Sequence, residues 1–129
     1  MLTKEIELCG KKVMMAYCYA TEIAYKAMAD EDMHDFIQEA IKCINEKKDP
    51  DSKRVMFAIL ASVNSYYESL ADINERKSPI TDREMMYKLT PKEMGEALGT
   101  ILILRYQFYQ LPKGEEGDTQ KEEGEQKNA

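Results

Sequence analysis

A long amphipathic pattern in the middle of the chain constrains the fold most. Between Ser52 and Ile73, apolar residues recur at steps of three and four, the spacing of one face of an α-helix. They are Val55, Met56, Ile59, Leu60, Val63, Tyr66, Tyr67, Leu70 and Ile73, and the polar side carries Ser62, Ser65, Glu68, Ser69 and Asp72. Asp49, Asp51 and Ser52 are alternative N-caps. Such a helix is roughly 30 Å long, so we predict a central helix on which the other elements pack.

The overall charge is acidic. The chain has 129 residues, with 18 Lys and Arg against 24 Asp and Glu, and a formal net charge of −6. This length suits one domain with one apolar core, and we predict a domain over residues 1–112. Residues 113–129 contain no Leu, Ile, Val or aromatic residue, which predicts a disordered acidic tail. Binding to phosphate needs a basic face, so we expect no nucleic-acid partner.

Neither a signal peptide nor a membrane span is predicted. Lys4, Glu5 and Glu7 interrupt the N-terminus. The most apolar stretch, residues 97–109, is too short to cross a bilayer and contains Arg105. We therefore expect a soluble protein of the cytoplasm, without membrane contact.

The residues that usually carry chemistry are few and scattered. The three cysteines, Cys9, Cys18 and Cys43, form no C-x-x-C pair, and His34 is the one histidine. This set argues against a disulfide framework and a zinc module. No Gly-rich phosphate loop or Gly-x-Ser-x-Gly motif occurs. We expect no catalytic residue, no metal, no cofactor and no enzymatic activity.

The N-terminal residues 2–17 predict a β-hairpin, because apolar and charged residues alternate in the first half. A turn at Gly10–Lys11 would place Leu8 opposite Val13. The alternative turn, Cys9–Gly10, would require a positive φ at a cysteine, so we prefer the first. A hairpin of this size needs a helix or a partner against its apolar face.

Four further helices are predicted around the central one. Two of them precede it, from Thr21 to Ala29 and from Met33 to Glu46. Two capping boxes, Thr81 to Glu84 and Thr90 to Glu93, open the other two. The inward residues predicted for the first pair are Ile23, Ala24, Ala27, Met28, Met33, Phe36, Ile37, Ala40, Ile41 and Ile44. The predicted fold class is mainly α, with an N-terminal hairpin followed by a compact bundle of about five helices.

The last helix, Pro91 to Gln110, is apolar around most of its circumference. Its predicted inner stripe is Met94, Ala97, Leu98, Ile101, Leu102, the stem of Arg105, and Phe108. Ile103 interrupts the polar face, and Gly95 and Gly99 leave a shallow spot where another backbone can approach. Such a helix is either deeply buried or binds a partner, and both alternatives stay open.

Methionine and tyrosine are abundant, with nine and eight copies, respectively. Adjacent residues such as Met85 and Met86 cannot both face one core, and flexible thioethers adapt to varied partner surfaces. Filling of gaps in the core is the alternative interpretation. We take Met85, Met86, Ile103, Tyr106 and Tyr109 as candidate partner-binding residues.

The order of these features resembles the tail assembly chaperones of long-tailed phages and prophages, in particular members from gut Bacteroidetes. The similarity covers residues 4–112 and is carried by the order of its segments more than by any one of them. The matching segments are Glu5-Ile6-Glu7-Leu8-Cys9-Gly10-Lys11-Lys12, Tyr17 to Tyr25, Ala58 to Tyr67, Ile80-Thr81-Asp82 and Thr90-Pro91-Lys92-Glu93.

The resemblance implies a small, mainly helical, non-enzymatic protein. Members of that family bind the long helical tape measure protein, keep it soluble and help tail-tube protein assemble around it in the host cytoplasm. No residue-level site is transferred by the resemblance. A helical adaptor of unrelated role that associates with itself as a homo-oligomer is the alternative.

Overall fold

Two strands and five α-helices follow one another along the chain, which confirms the predicted fold class. The computed structural model describes residues 1–112; the predicted tail lies outside the described residues. The elements are β1 (Leu2–Leu8), β2 (Lys11–Tyr17), α1 (Tyr19–Ala29), α2 (Met33–Asn45), α3 (Ser52–Glu68), α4 (Asp82–Lys88) and α5 (Pro91–Phe108). No helix within these residues is long and apolar enough to cross a membrane.

Helix α3 lies at the centre of the core and contacts β2, α1 and α5. It is buried on more sides than predicted, because Ser62 and Ser65 are also buried. The Ser62 hydroxyl donates to the Ala16 carbonyl oxygen at 2.8 Å, and the Ser65 hydroxyl lies 2.8 Å from that of Thr21. The prediction that these serines face solvent is therefore wrong: hydrogen bonds to β2 and α1 satisfy their polar atoms inside the protein.

Helix α3 also ends earlier than predicted, at Glu68 rather than Ile73. Ser69 follows as the C-cap, and its hydroxyl donates to the Tyr66 carbonyl oxygen at 2.6 Å. Beyond it, the Asp72 side chain accepts from the Asn74 N–H at the start of a single 3-10 turn, Ile73–Glu75. Side-chain bonds to the backbone thus compete with continuation of the helix, and Ile73 is exposed.

The hairpin forms with the turn that we did not prefer. Leu8 pairs with Lys11 and Ile6 with Val13, so Cys9 and Gly10 form the turn. Their φ angles are 54° and 77°, as in the I′ turn whose twist matches that of the strands. The prediction of a Gly10–Lys11 turn, with Leu8 opposite Val13, is therefore wrong, because the two strands pair in a different register.

Contacts from the distant helices α4 and α5 stabilise this turn. The Cys9 N–H donates to Glu93 Oε2 at 2.9 Å, and Lys11 Nζ lies 3.1 Å from Glu84 Oε2. Glu84 and Glu93 are the N3 residues of the two predicted capping boxes, which are both confirmed. Each glutamate caps its own helix with Oε1 and binds the hairpin with Oε2.

Helices α1 and α2 bury fewer residues than predicted. No described element covers that part of either apolar stripe, so the following predicted inward residues are exposed: Ile23, Ala27, Met28, Ile41 and Ile44. Helix α1 begins at Tyr19 with Cys18 as its N-cap, and Thr21 lies inside the first turn rather than at the cap.

An ion pair fixes the connection between α1 and α2 against α3. Glu31 binds Arg54 through two hydrogen bonds, Nε to Oε2 at 2.7 Å and Nη2 to Oε1 at 3.0 Å. The Tyr25 hydroxyl donates to Glu31 Oε2 at 2.5 Å. The Arg54 guanidinium also lies over the Phe36 ring of α2, so this side chain connects α3 with α2 and with the segment between α1 and α2.

Candidate protein-binding surface

No group of three or more His, Cys, Asp or Glu side chains within residues 1–112 is placed to hold a metal ion. His34 is exposed, and its Nδ1 lies 3.1 Å from Arg105 Nη2. Burial, with the nearby Glu93 and Glu84, raises the pKa of the Cys9 thiol, which makes Cys9 a weak nucleophile at neutral pH.

The two methionines of the candidate set have opposite environments. Met85 is 0% exposed and belongs to the core, whereas Met86 is 55% exposed on the outside of α4. The burial of Met85 corrects its assignment as a partner-binding residue, because a fully buried side chain cannot contact a partner in this conformation. Met86 remains available, but it lies on a different helix from the other three candidates.

The three candidates on α5 share one exposed side of the helix. Ile103, Tyr106 and Tyr109 follow one another at steps of three, and they are 60%, 68% and 43% exposed. Residues that are three positions apart in sequence are neighbours on a helix surface. The inner side of α5 buries Ala97, Leu98, Ile101 and, not predicted, Leu104, so α5 is only partly covered by its own fold.

Gly95 and Gly99 lie on the same outer part of α5. A Cβ atom at either position would meet no described atom within 4 Å apart from its own helix and neighbours. The predicted close approach of another backbone is therefore not made by residues 1–112. Glycine within a helix costs about 0.5–1 kcal/mol relative to alanine, and nothing in the packing of residues 1–112 compensates for that cost.

Helix α1 extends this exposed surface, which sequence reasoning did not predict. Tyr19 and Ile23 are 63% and 71% exposed, and they lie four residues apart on one helix face. The rings of Tyr19 and Phe108 meet edge to face at 5.1 Å, and Phe108 meets Tyr109 in the same way at 5.2 Å. We call Tyr19, Ile23, Ile103, Tyr106 and Tyr109 the α1–α5 surface.

A shared carboxylate joins the two halves of this surface. Glu22 Oε2 accepts hydrogen bonds from the hydroxyls of Tyr17 and Tyr109, both at 2.7 Å. Burial and the bond to Glu22 raise the pKa of Tyr109 to about 12 and that of Tyr17 further. Both phenols therefore stay protonated at neutral pH, and the end of α5 is held against α1.

A groove lies on the other flank of α5, next to β1. Its volume is about 390 Å³. The lining residues are Thr3, Lys4, Glu96, Gly99, Thr100, Ile103, Leu104 and Gln107. We call it the β1–α5 groove; Ile103 is common to the groove and to the α1–α5 surface.

Comparisons of the chain with profiles of known protein families, with curated protein sequences and with solved structures found no match. The resemblance to tail assembly chaperones therefore depends on the sequence features quoted above. The exposed residues of α1 could have been recognised from Tyr19 and Ile23 themselves, since their spacing predicts one helix face. Only the packing reveals that this face is uncovered.

Proposed function

We propose that this protein is a non-enzymatic tail assembly chaperone, which binds an amphipathic helical segment of a tape measure protein and assists tail-tube assembly. The observation that carries the proposal is the α1–α5 surface. Five large apolar or aromatic side chains remain exposed there on helices whose other faces pack in the core. Exposed apolar patches rimmed by polar residues are typical of protein-binding sites.

The chemistry of the surface suits a helical partner. Tyrosine contributes large contact areas at interfaces, with a hydroxyl that tolerates water. The open positions above Gly95 and Gly99 allow a partner backbone to lie close to α5. An apolar helix face placed there would be shielded from water until the tail tube covers it, which is helix-in-groove recognition.

Binding of the tape measure protein can be tested by co-expression in the host cytoplasm with a tagged protein. We expect the tape measure protein to remain in the soluble fraction and to co-purify with this chain. Tyr106→Ser should weaken the complex by about 5- to 30-fold, as expected for an interface residue worth 1–2 kcal/mol. The matched control is Tyr87→Ser, because Tyr87 is a tyrosine of similar exposure (76% against 68%) on α4, outside the surface.

Two results would contradict the proposal. One is equal recovery of the tape measure protein with the Tyr106→Ser and Tyr87→Ser variants. The other is a tagged protein that elutes alone as a discrete oligomer that Tyr106→Ser dissociates. The second result would assign the α1–α5 surface to self-association, the alternative adaptor function.

A further inference from the structure

The outer edges of β1 and β2 differ in how their backbone groups are hydrogen-bonded. In an antiparallel pair, residues that bond across the pair alternate with residues whose backbone groups point outward. With Leu8 paired to Lys11 across a two-residue turn, the outward residues of β2 include Met14 and Ala16. Those of β1 are Thr3, Glu5 and Glu7.

Side chains of α1 and α3 bond to part of the outer edge of β2. The Met14 N–H donates to the Tyr67 hydroxyl at 3.1 Å. The Ala16 carbonyl oxygen accepts from Ser62 at 2.8 Å and from Thr21 at 3.3 Å. These bonds also confirm the assignment of outward residues, and they occupy two backbone groups that a further strand on this edge would need.

The outer edge of β1 has no such partner among residues 1–112. The backbone N–H and C=O groups of Thr3, Glu5 and Glu7 make no hydrogen bond with any described residue, and all three side chains are exposed. The edge is therefore a row of unused donors and acceptors, which is a template for pairing with another strand.

The β1–α5 groove lies beside the Thr3 end of this edge. Thr3 and Lys4 of β1 line it on one side, and Gly99, Ile103 and Leu104 of α5 on the other. A strand added to β1 would send alternate side chains toward the groove and toward solvent. Apolar side chains would contact Ile103 and Leu104 in the groove, whose other α5 residues include the polar Glu96, Thr100 and Gln107. The solvent-facing side chains would lie opposite Glu5 and Glu7.

We propose that β1 accepts an extended segment of a partner protein as a third strand, in which Lys or Arg alternates with apolar residues. Backbone hydrogen bonds along Thr3, Glu5 and Glu7 provide affinity, and the groove and the two carboxylates select the side chains. The inference does not depend on the proposed function, although Gly99 and Ile103 line the groove and also belong to the face of α5 proposed for helix binding.

Charge argues against the two other occupants. The two-fold register that pairs all seven residues of β1 with a second copy places Glu5 opposite Glu5. The neighbouring registers place Lys4 opposite Lys4 or Glu5 opposite Glu7, and like charges in opposite positions are destabilising. Residues 113–129 of the chain itself carry six acidic residues and three lysines, so they would repel Glu5 and Glu7.

The test uses the full chain and the peptide acetyl-Lys-Val-Lys-Val-Lys-Val-amide at low salt. Amide hydrogen exchange is followed by NMR with and without the peptide. We expect the peptide to slow exchange at Thr3, Glu5 and Glu7 and not at Lys12, whose outward amide lies on the other edge. A peptide with Glu in place of Lys, and one N-methylated on alternate amides, should bind more weakly or not at all.

Two variants distinguish the contribution of charge from that of backbone pairing. Glu5→Lys should weaken the peptide by about 2- to 30-fold, because one attractive cross-strand pair becomes repulsive. Glu68→Lys is the matched control, since Glu68 is exposed at the end of α3 and away from the edge; it should leave the affinity unchanged. Glu5→Pro removes an outward N–H that the hairpin itself does not use, and it should abolish protection while the rest of the spectrum persists.

Three results would overturn the inference. The first is no change of exchange at the three amides with any peptide. The second is equal affinity of the Glu5→Lys and Glu68→Lys variants. The third is slow exchange at these amides in the free protein, which would mean that a second copy or the chain's own C-terminal residues already occupy the edge. A concentration dependence of that protection would identify the second copy.

Discussion

Replacement of Glu93 by alanine tests whether the hairpin turn depends on α5. The Glu93 carboxylate accepts from the Thr90 N–H at 3.0 Å and from the Cys9 N–H at 2.9 Å. Glu93→Ala removes both bonds, and the Cys9 bond is the one that connects the turn of the hairpin to α5. A hydrogen bond contributes about 1 kcal/mol net, more when one partner is charged, and partial exposure reduces that excess. We expect the free energy of unfolding to fall by about 2 kcal/mol.

Urea unfolding, followed by circular dichroism, measures this loss. The control is Glu96→Ala on the same helix, because the Glu96 side chain is exposed and makes no hydrogen bond with a described residue. Its effect should stay within about 0.5 kcal/mol.

The pH dependence of the loss gives a second, independent check. The Thr90 and Cys9 N–H groups lower the pKa of Glu93 in the folded protein. A lowered pKa contributes stability above the unfolded value, about 4.3, and that contribution disappears as the pH falls through the folded pKa. The difference between wild type and Glu93→Ala should therefore shrink below about pH 4. An equal loss in Glu93→Ala and Glu96→Ala, or a difference that is the same at pH 3 and pH 7, would refute the reasoning.

Three further substitutions test the core. Met85→Ala should lower the free energy of urea unfolding by about 2–5 kcal/mol, whereas Met86→Ala should change it by at most about 0.5 kcal/mol; similar losses would contradict the assigned environments. Glu31→Gln should lower the free energy of unfolding by about 1–2 kcal/mol, because Arg54 loses its charged partner. Arg54 lowers the pKa of Glu31, so this loss of stability should vanish in acid. A loss that does not depend on pH would exclude the ion pair as the cause. Ser62→Ala should cost about 1 kcal/mol, measured by thermal unfolding, and a neutral result would show that its bond to β2 adds nothing.

Local signals in the sequence predicted the order and type of the elements. The two capping boxes at Thr81 and Thr90 were predicted correctly because a capping box is completed within four residues. The spacing of apolar residues also indicated where the helices lie, because this spacing is a property of each segment alone. The existence of the hairpin followed from alternation over short segments.

The errors concern contacts between distant residues. A positive φ at Cys9 is disfavoured locally, but Glu93 and Glu84 supply contacts that no local pattern indicates. The sequence pattern placed Ser62 and Ser65 on the solvent side of the helix, because the hydrogen bonds that allow their burial come from other elements. The α1–α5 surface was only half predicted: periodicity defines which residues share a face, but not whether another element covers that face.

The bond between Cys9 and Glu93 spans 84 positions of sequence, and this separation has a consequence for the order of folding. Two isolated strands are marginally stable, and the groups that hold the turn belong to the last two helices. Contacts at such sequence distance form slowly because a long loop must close first. During synthesis the hairpin leaves the ribosome first, yet we expect it to become protected last, after α5 has emerged. Until α3 packs against β2, the outer edges of both strands are free, so the newly made chain is most exposed to aggregation at the hairpin.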